Sequence, residues 1–308
     1  MVLTNSIFRG FLDCPARTMA EHGGLVTGDG RTPEWHTRTT EAMACGSLVD
    51  AIITRGLTGI VSSVCPATDL DAVQAALASS YSDGAETLDT LLTKKGEWTA
   101  AARTAISAAR RLLADPDVSE LLADPRTRKQ ARITFMVAPD VTWRGDIDLL
   151  VDDADCVRVV DLKAPGRIED GWIAAGGKNV KVAWWEAWQY WFQLSGYAYG
   201  LASDSATVDG SPFERAKPIR AGLLYATRGE YPAIGYQPVP LDMEAWEMAV
   251  MLRLDAIRAI VDGDVQAPMC GRCDYCASRS RVQIADCSPS AYPVIDDVFG
   301  IPRREEDL

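Results

Sequence analysis

The sequence predicts an α/β fold: a central sheet wrapped by helices, with a helical N-terminal part and a small metal-stapled C-terminal end. Three observations carry this expectation. Apolar residues recur at three-four spacing up to about residue 125, the period drops to two between residues 132 and 164, and four cysteines crowd residues 270–287.

The elements follow in order. "TEAMACGSLVDAIITRG" (40–56), "DLDAVQAALASSY" (69–81) and "EWTAAARTAISAARRLLAD" (97–115) each build one apolar helix face, with turn residues between them. "RITFMVA" (132–138), "GDIDLLV" (145–151) and "CVRVVDLKA" (156–164) predict three strands of an antiparallel meander. The "DDAD" between the last two is a tight polar turn. A Gly-rich loop, "GGKNVK", leads into an aromatic helix over 183–202; a strand over 218–227 and a helix over 242–263 follow. The expected organisation is a helical part over 1–125, a core over 126–265, a Cys-rich segment over 266–300 and a frayed tail over 301–308.

A chain of 308 residues, 47% hydrophobic and 24% charged, can bury a substantial core. No apolar run reaches the length of about eighteen residues that a membrane span needs, so none is expected. The start "MVLTNSIFRGFLDCPA" lacks the basic and apolar blocks of a secretory signal, which predicts a cytoplasmic protein. A formal charge of -12 argues against a polyanion coat over the whole surface. Basic residues still cluster in "RTRKQAR" (Arg126, Arg128, Lys129, Arg132), in "GGKNVK" and around the C-terminal cysteines. Most such runs are solvated surface, but the pattern suits an enzyme that holds nucleic acid in one groove only.

The acidic strands carry the chemistry. Asp161 and Lys163 are two apart on a strand, so they share a face. Asp148 lies twelve intervening residues upstream, a separation that puts it on the neighbouring strand beside Asp161. Adjacent carboxylates repel, and a divalent cation is their natural neutraliser. All-oxygen ligands favour Mg²⁺ or Mn²⁺, which would activate a water and stabilise charge on a phosphate. Lys163 on the same face could orient that water or neutralise the transition state.

"GDID" followed by "DLK" resembles the core signature of the PD-(D/E)xK nucleases, in particular the exonuclease branch containing RecB, AddB, RecE and the CRISPR-associated nucleases with iron–sulfur clusters. "QLSGY" (Gln193, Tyr197) is similar to the Q-x-x-x-Y helix of that branch, "GSLVD" stands where it has Gly-x-x-x-His, and "FLDCPA" resembles its early Cys-Pro element. The resemblance implies a restriction-endonuclease-like mixed sheet flanked by helices. It assigns Mg²⁺ or Mn²⁺ to Asp148 and Asp161, with Asp50 as a substituted ligand in place of the family's histidine. The competing expectation is an Asp50 that faces solvent. Gly46, one turn earlier, is expected to let its helix approach the sheet closely. Gln193 and Tyr197 share a helix face and are expected to contact DNA or the attacking water, against the alternative of a tyrosine that only packs. Trp184, Trp185, Trp188 and Trp191 are expected to be core residues before base-stacking platforms; of these Trp184 or Trp185, beside the Gly-rich loop, is the better placed to meet a base.

Eight cysteines in a chain without a secretory signal are not a disulfide set. Cys45, Cys65 and Cys156 have apolar neighbours and are expected to be buried small residues. Cys270, Cys273, Cys276 and Cys287 use Cys-x-x-Cys spacing twice and could hold a structural Zn²⁺. The resemblance implies a different occupant, a 4Fe-4S cluster on Cys14, Cys273, Cys276 and Cys287, with Cys270 as substitute because the ten-residue gap before Cys287 is long.

The expected activity is that of a metal-dependent DNA exonuclease acting on DNA ends, single-stranded or otherwise, in recombination, repair or phage replication. Asp148, Asp161, Lys163, Gln193 and Tyr197 form the expected site. A homo-oligomer and a recombination partner protein are both compatible with the resemblance. The alternative is a non-catalytic nucleic-acid-binding or assembly protein on a nuclease fold, for which Asp50 in place of histidine is the best support.

Overall fold

The computed structural model describes residues 1–35, 38–62, 64–66, 69–78, 84–175, 178–187, 189–214, 217–228 and 233–279. The chain opens with β1 (Val2–Leu3), α1 (Asn5–Asp13) and α2 (Pro15–Thr27). Thr4 caps α1 by accepting from the Ile7 N–H; Cys14, in extended backbone, ends α1 and precedes Pro15 at the first turn of α2. The helices α3 (Glu41–Thr54), α4 (Leu70–Leu77), α5 (Gly84–Leu91), α6 (Ala100–Ala114) and α7 (Pro116–Ala123) follow. Asp115 both ends α6 and caps α7, which accounts for the sharp turn at "ADP".

The sheet is built from β2 (Thr127–Ala138), β3 (Val141–Asp152) and β4 (Val157–Lys163), the expected antiparallel meander. A two-stranded ribbon, β5 (Gly171–Ala175) and β6 (Lys178–Val182), stands outside it. Most of the stretch expected to be a Gly-rich loop is therefore a strand. Next come α8 (Trp184–Ala187) and α9 (Tyr190–Ala202), short strands β7 (Thr207–Val208) and β8 (Ser211–Pro212), then β9 (Ile219–Ala226), β10 (Ile234–Val239), α10 (Met243–Val261) and α11 (Asp274–Arg279). The aromatic helix expected over 183–202 is thus broken in two, where Gln189 takes a left-handed backbone with φ 56°.

The strand order is β10-β9-β4-β3-β2-β7-β8, with β1 parallel to the start of β3; β4 and β9 run parallel and the rest of the main path is antiparallel. This is the expected mixed α/β sheet flanked by helices. Helices α1, α2, α9 and α10 cover one face, over a core that includes Phe8, Phe135, Trp143, Leu194 and Trp246. Helices α3 to α7 cover the other, over Leu48, Ile52, Ile106, Leu149, Val160 and Leu224. The N-terminal helices accordingly split between the two faces rather than forming a separate layer. Trp143 and Trp246 meet edge to face with centroids 4.9 Å apart in the first core.

Candidate active site

The site lies where the sheet comes apart. Pairing of β3 with β4 ends at Leu149↔Val160, so Asp148 and Asp161 are the first residues past the last pair. There the Leu162 N–H donates to Asp148 Oδ2 at 2.6 Å, a carboxylate taking the bond that a strand carbonyl would otherwise accept. On its other edge β3 is also irregular. Pairs Lys129↔Leu149 and Ala131↔Ile147 flank Gln130 and Asp148, which make no pair themselves. Gln130 has φ 53°, a left-handed conformation that costs a non-glycine residue roughly 1–2 kcal/mol. The alternation of faces breaks here: Ile147 packs in the core under α9 and α10, Leu149 in the core under α3 and α6, and Leu150 back in the first. A regular strand would have put Ile147 and Leu149 on the same side. With the register unchanged on either side, this unpaired step turns Asp148 towards α3.

Asp161 and Lys163 share a face as expected and form an ion pair, with Asp161 3% exposed. The Lys163 ammonium also lies 5.0 Å from the centre of the Tyr190 ring. Burial works against this ammonium, but the Asp161 and Asp148 carboxylates outweigh it and hold its pKa above the ordinary lysine value. Burial, and after it the Asp161 and Asp50 carboxylates, push Asp148 well above the ordinary carboxylate range. Asp50 sits on α3 facing this cluster rather than open solvent. Burial raises it to about 6 against the pull of Arg55 and Thr54. The three acids and the lysine expected to act together are therefore one electrostatic unit. Asp50, Asp148 and Lys163 border a cleft of about 360 Å³, lined also by Gly46, Pro165 and Tyr190; Asp161 is buried and is not part of its wall.

Gly46 departs from expectation: a Cβ there would meet nothing within 4 Å, so close helix–sheet approach does not explain it. It lines the cleft, and its missing side chain leaves that wall open. Gln193 and Tyr197 form a chain behind the site. Gln193 Nε2 reaches Asp161 Oδ1 at 3.4 Å and Tyr197 Oη at 2.9 Å, and the Tyr197 hydroxyl donates to the Asp146 carbonyl at 2.9 Å. Tyr197 is buried in the core, as the packing alternative expects, its phenol held well above its ordinary pKa by that burial, and its hydroxyl accepts from Gln193. Gly145 makes room for it, since a Cβ there would lie 2.4 Å from Tyr197 Cε1. Trp184 is also core, edge-on to Tyr190 and Tyr225, and is not open to a base; Trp185 is partly buried against the same core.

Gln130 is the site residue that sequence reasoning missed. Its Nε2 lies 2.8 Å from Asp50 Oδ1 and 3.3 Å from Asp148 Oδ1. It sits inside "RTRKQAR", which reads as a basic surface run; in the structure Arg126 pairs with Asp124 and Arg132 with Asp146, and the run is the start of β2.

A second cluster joins the chain ends. The thiols of Cys14, Cys270, Cys273 and Cys276 lie within 4.8 Å of one another, the one such group of ligand atoms among the described residues. Cys14 Sγ is 3.6 Å from Cys276 Sγ and 3.7 Å from Cys273 Sγ. Burial works against the Cys270 thiolate, but the Arg272 and Cys273 N–H groups, each 3.4 Å from its sulfur, outweigh it and draw the thiol to about 7. Cys270, expected as the substitute ligand, stands in this set with Cys14, Cys273 and Cys276; Cys287 lies outside the described residues, and Cys14 joins a set that the zinc expectation had kept wholly C-terminal. Cys45 and Cys156 are buried as expected. Cys65 is not: it is exposed in a loop beside Val64, itself 56% exposed, because apolar neighbours in a connection need not reach the core.

The model of a PDDEXK-like domain of unknown function matches residues 4–279. The chain belongs to this PDDEXK-like family. Among curated proteins, none matches the chain. A crystal structure from Eubacterium rectale, provisionally named an exonuclease, is similar over 93% of this chain and 91% of that one, with 18% identity and a TM-score of 0.64. That identity shows a shared fold. A second structure, SSO0001, has 14% identity over 60% of this chain and 75% of that one, and its TM-score of 0.27 carries no weight. No helix among the described residues is long and apolar enough to cross a membrane.

PDDEXK-like nucleases generally use divalent metals, and the donor set of the cleft fits one. Asp50, Asp148 and Asp161 offer only hard oxygens, and the mutual repulsion that lifts Asp148 is what a cation would relieve. The thiol centre offers four soft sulfur donors, the chemistry of a thiophilic metal.

Proposed function

We propose that this protein is a metal-dependent nuclease that hydrolyses phosphodiester bonds of DNA, acting from strand ends. The observation that carries the proposal is the fork at Asp148 and Asp161 with the Lys163 ammonium paired to the second acid, on a PDDEXK-like fold. The name of the Eubacterium rectale neighbour supports the exonuclease assignment.

Asp50, Asp148 and Asp161 would hold Mg²⁺ or Mn²⁺. When bound, such an ion supplies Lewis acidity towards a water and a phosphate oxygen. The chain's own residues do the rest. Lys163 presents one fixed positive charge to the phosphate or the attacking water. Asp161 and the Tyr190 ring hold that ammonium in place. Gln193, anchored through Tyr197 to the Asp146 carbonyl, holds Asp161. Digestion of end-labelled DNA with Mn²⁺, Mg²⁺ or a chelator tests this. Metal-dependent release of nucleotides is expected; salt-sensitive binding without release would instead support the non-catalytic alternative.

The thiol centre is proposed to hold a 4Fe-4S cluster on Cys14, Cys270, Cys273 and Cys276, stapling the chain ends. Two successive Cys-x-x-Cys spacings suit such a cluster. One observation favours zinc: the sulfurs stand 3.5–3.8 Å apart along four of their pairings. Tetrahedral Zn–S bonds set an edge of about 3.8 Å, whereas a four-iron cluster needs the thiols spread wider. Absorbance near about 400 nm in anaerobically purified protein supports the cluster; a colourless protein with one zinc overturns it.

A further inference from the structure

Gln130 is the strained residue at the fork, and its amide lies between two of the three carboxylates. The amide presents Nε2 to both acids, 2.8 Å from Asp50 Oδ1 and 3.3 Å from Asp148 Oδ1. The other donors in the cluster are spoken for: Lys163 pairs with Asp161, the Leu162 N–H with Asp148, and the Thr54 hydroxyl lies 3.3 Å from Asp50 Oδ1. The amide nitrogen thus touches the same two carboxylates that a cation shared by Asp50 and Asp148 would touch. An N–H pair aimed at a cation is repulsive. Half a turn about the last side-chain bond exchanges nitrogen for oxygen and leaves the other atoms almost in place. An amide oxygen is a hard, neutral ligand of the kind Mg²⁺ and Mn²⁺ accept.

We propose that Gln130 is a switchable positioning residue of the cleft: its Nε2 bridges Asp50 and Asp148 in the metal-free protein, and the amide turns over to offer Oε1 to the divalent cation. This rests on the cation reading of the cleft given above. The left-handed backbone at Gln130 is the device that delivers the amide, since a regular strand residue there would pair with Asp148 in the ladder. Choosing glutamine over a carboxylate keeps a neutral group beside three acids, so the cleft tolerates both states.

The test is Mn²⁺ titration of chelator-stripped protein, with free Mn²⁺ read by electron paramagnetic resonance and each protein's melting temperature recorded. Asp161→Asn serves to assign the signal to the cleft. Gln130→Met removes both ends of the amide, and Mn²⁺ affinity is expected to fall about 10- to 100-fold, as for residues that orient metal ligands. Affinity that is unchanged or tighter in this variant overturns the proposal, because a mere bridge would compete with the metal. In Gln130→Glu, which can ligate but cannot donate, the metal-free protein is expected to melt lower than wild type and to gain more on Mn²⁺ addition; an equal gain also overturns it. A wild type that binds no Mn²⁺ removes the cation reading itself, a distinct outcome.

Discussion

The Leu162 N–H donates to the Asp148 carboxylate at 2.6 Å, so the backbone of β4 grips a side chain of β3 at the point where their ladder stops. This bond and the unpaired, left-handed Gln130 together hold Asp148 in the fork.

Tyr197→Phe tests the relay behind Asp161. The variant strands the buried Asp146 carbonyl and loosens Gln193, at a cost of about 1–3 kcal/mol for the unsatisfied groups. Thermal unfolding should register the loss, and turnover should fall more than substrate binding. Cleavage at the wild-type rate in a destabilised protein would show that Tyr197 only packs.

The cation should stabilise the protein in a pH-dependent way. Asp50 and Asp148 have folded pKa values above their unfolded ones, about 6 for Asp50. A raised carboxylate contributes stability that is complete below the unfolded pKa and is lost as pH rises through the folded one. For Asp50 the metal-free protein should therefore lose this contribution by about pH 7, where Mn²⁺ restores it. The Mn²⁺-induced rise in melting temperature should be larger at pH 7.5 than at pH 5; equal rises would contradict the assignment of these acids as ligands.

The thiol centre makes a set-wise prediction. Serine at Cys14, Cys270, Cys273 or Cys276 should each lower metal or iron content and open the 266–279 segment to protease. Serine at Cys65 or Cys287 should leave content unchanged. Metal analysis of the purified variants reads this directly. Loss on Cys287→Ser would return that residue to the ligand set.

Much of the fork was legible in the sequence because carboxylates inside Val-rich and Leu-rich strands have few reasons to exist: Asp148, Asp161 and Lys163 stood out by that criterion. The order of the meander was legible from strict alternation and the short "DDAD" turn. Gln130 was hidden because its importance comes from a left-handed backbone, which sequence signals through glycine and asparagine, not through a glutamine in a basic run. The strand β10 was missed because "IGYQPV" carries a glycine and a proline, tolerated there at the sheet edge. That Cys270 comes to Cys14 depends on how its loop folds, which spacing does not encode.

The central claim is that Lys163 works on a phosphate beside a cation that it does not itself bind. Lys163→Ala, assayed for Mn²⁺ binding and for digestion of end-labelled DNA, separates the two most directly. The variant is predicted to keep its fold and bind Mn²⁺ while cleavage drops at least about 10²- to 10³-fold, the usual cost of a lost transition-state charge partner. Undiminished Mn²⁺-dependent cleavage by the folded variant would contradict the account.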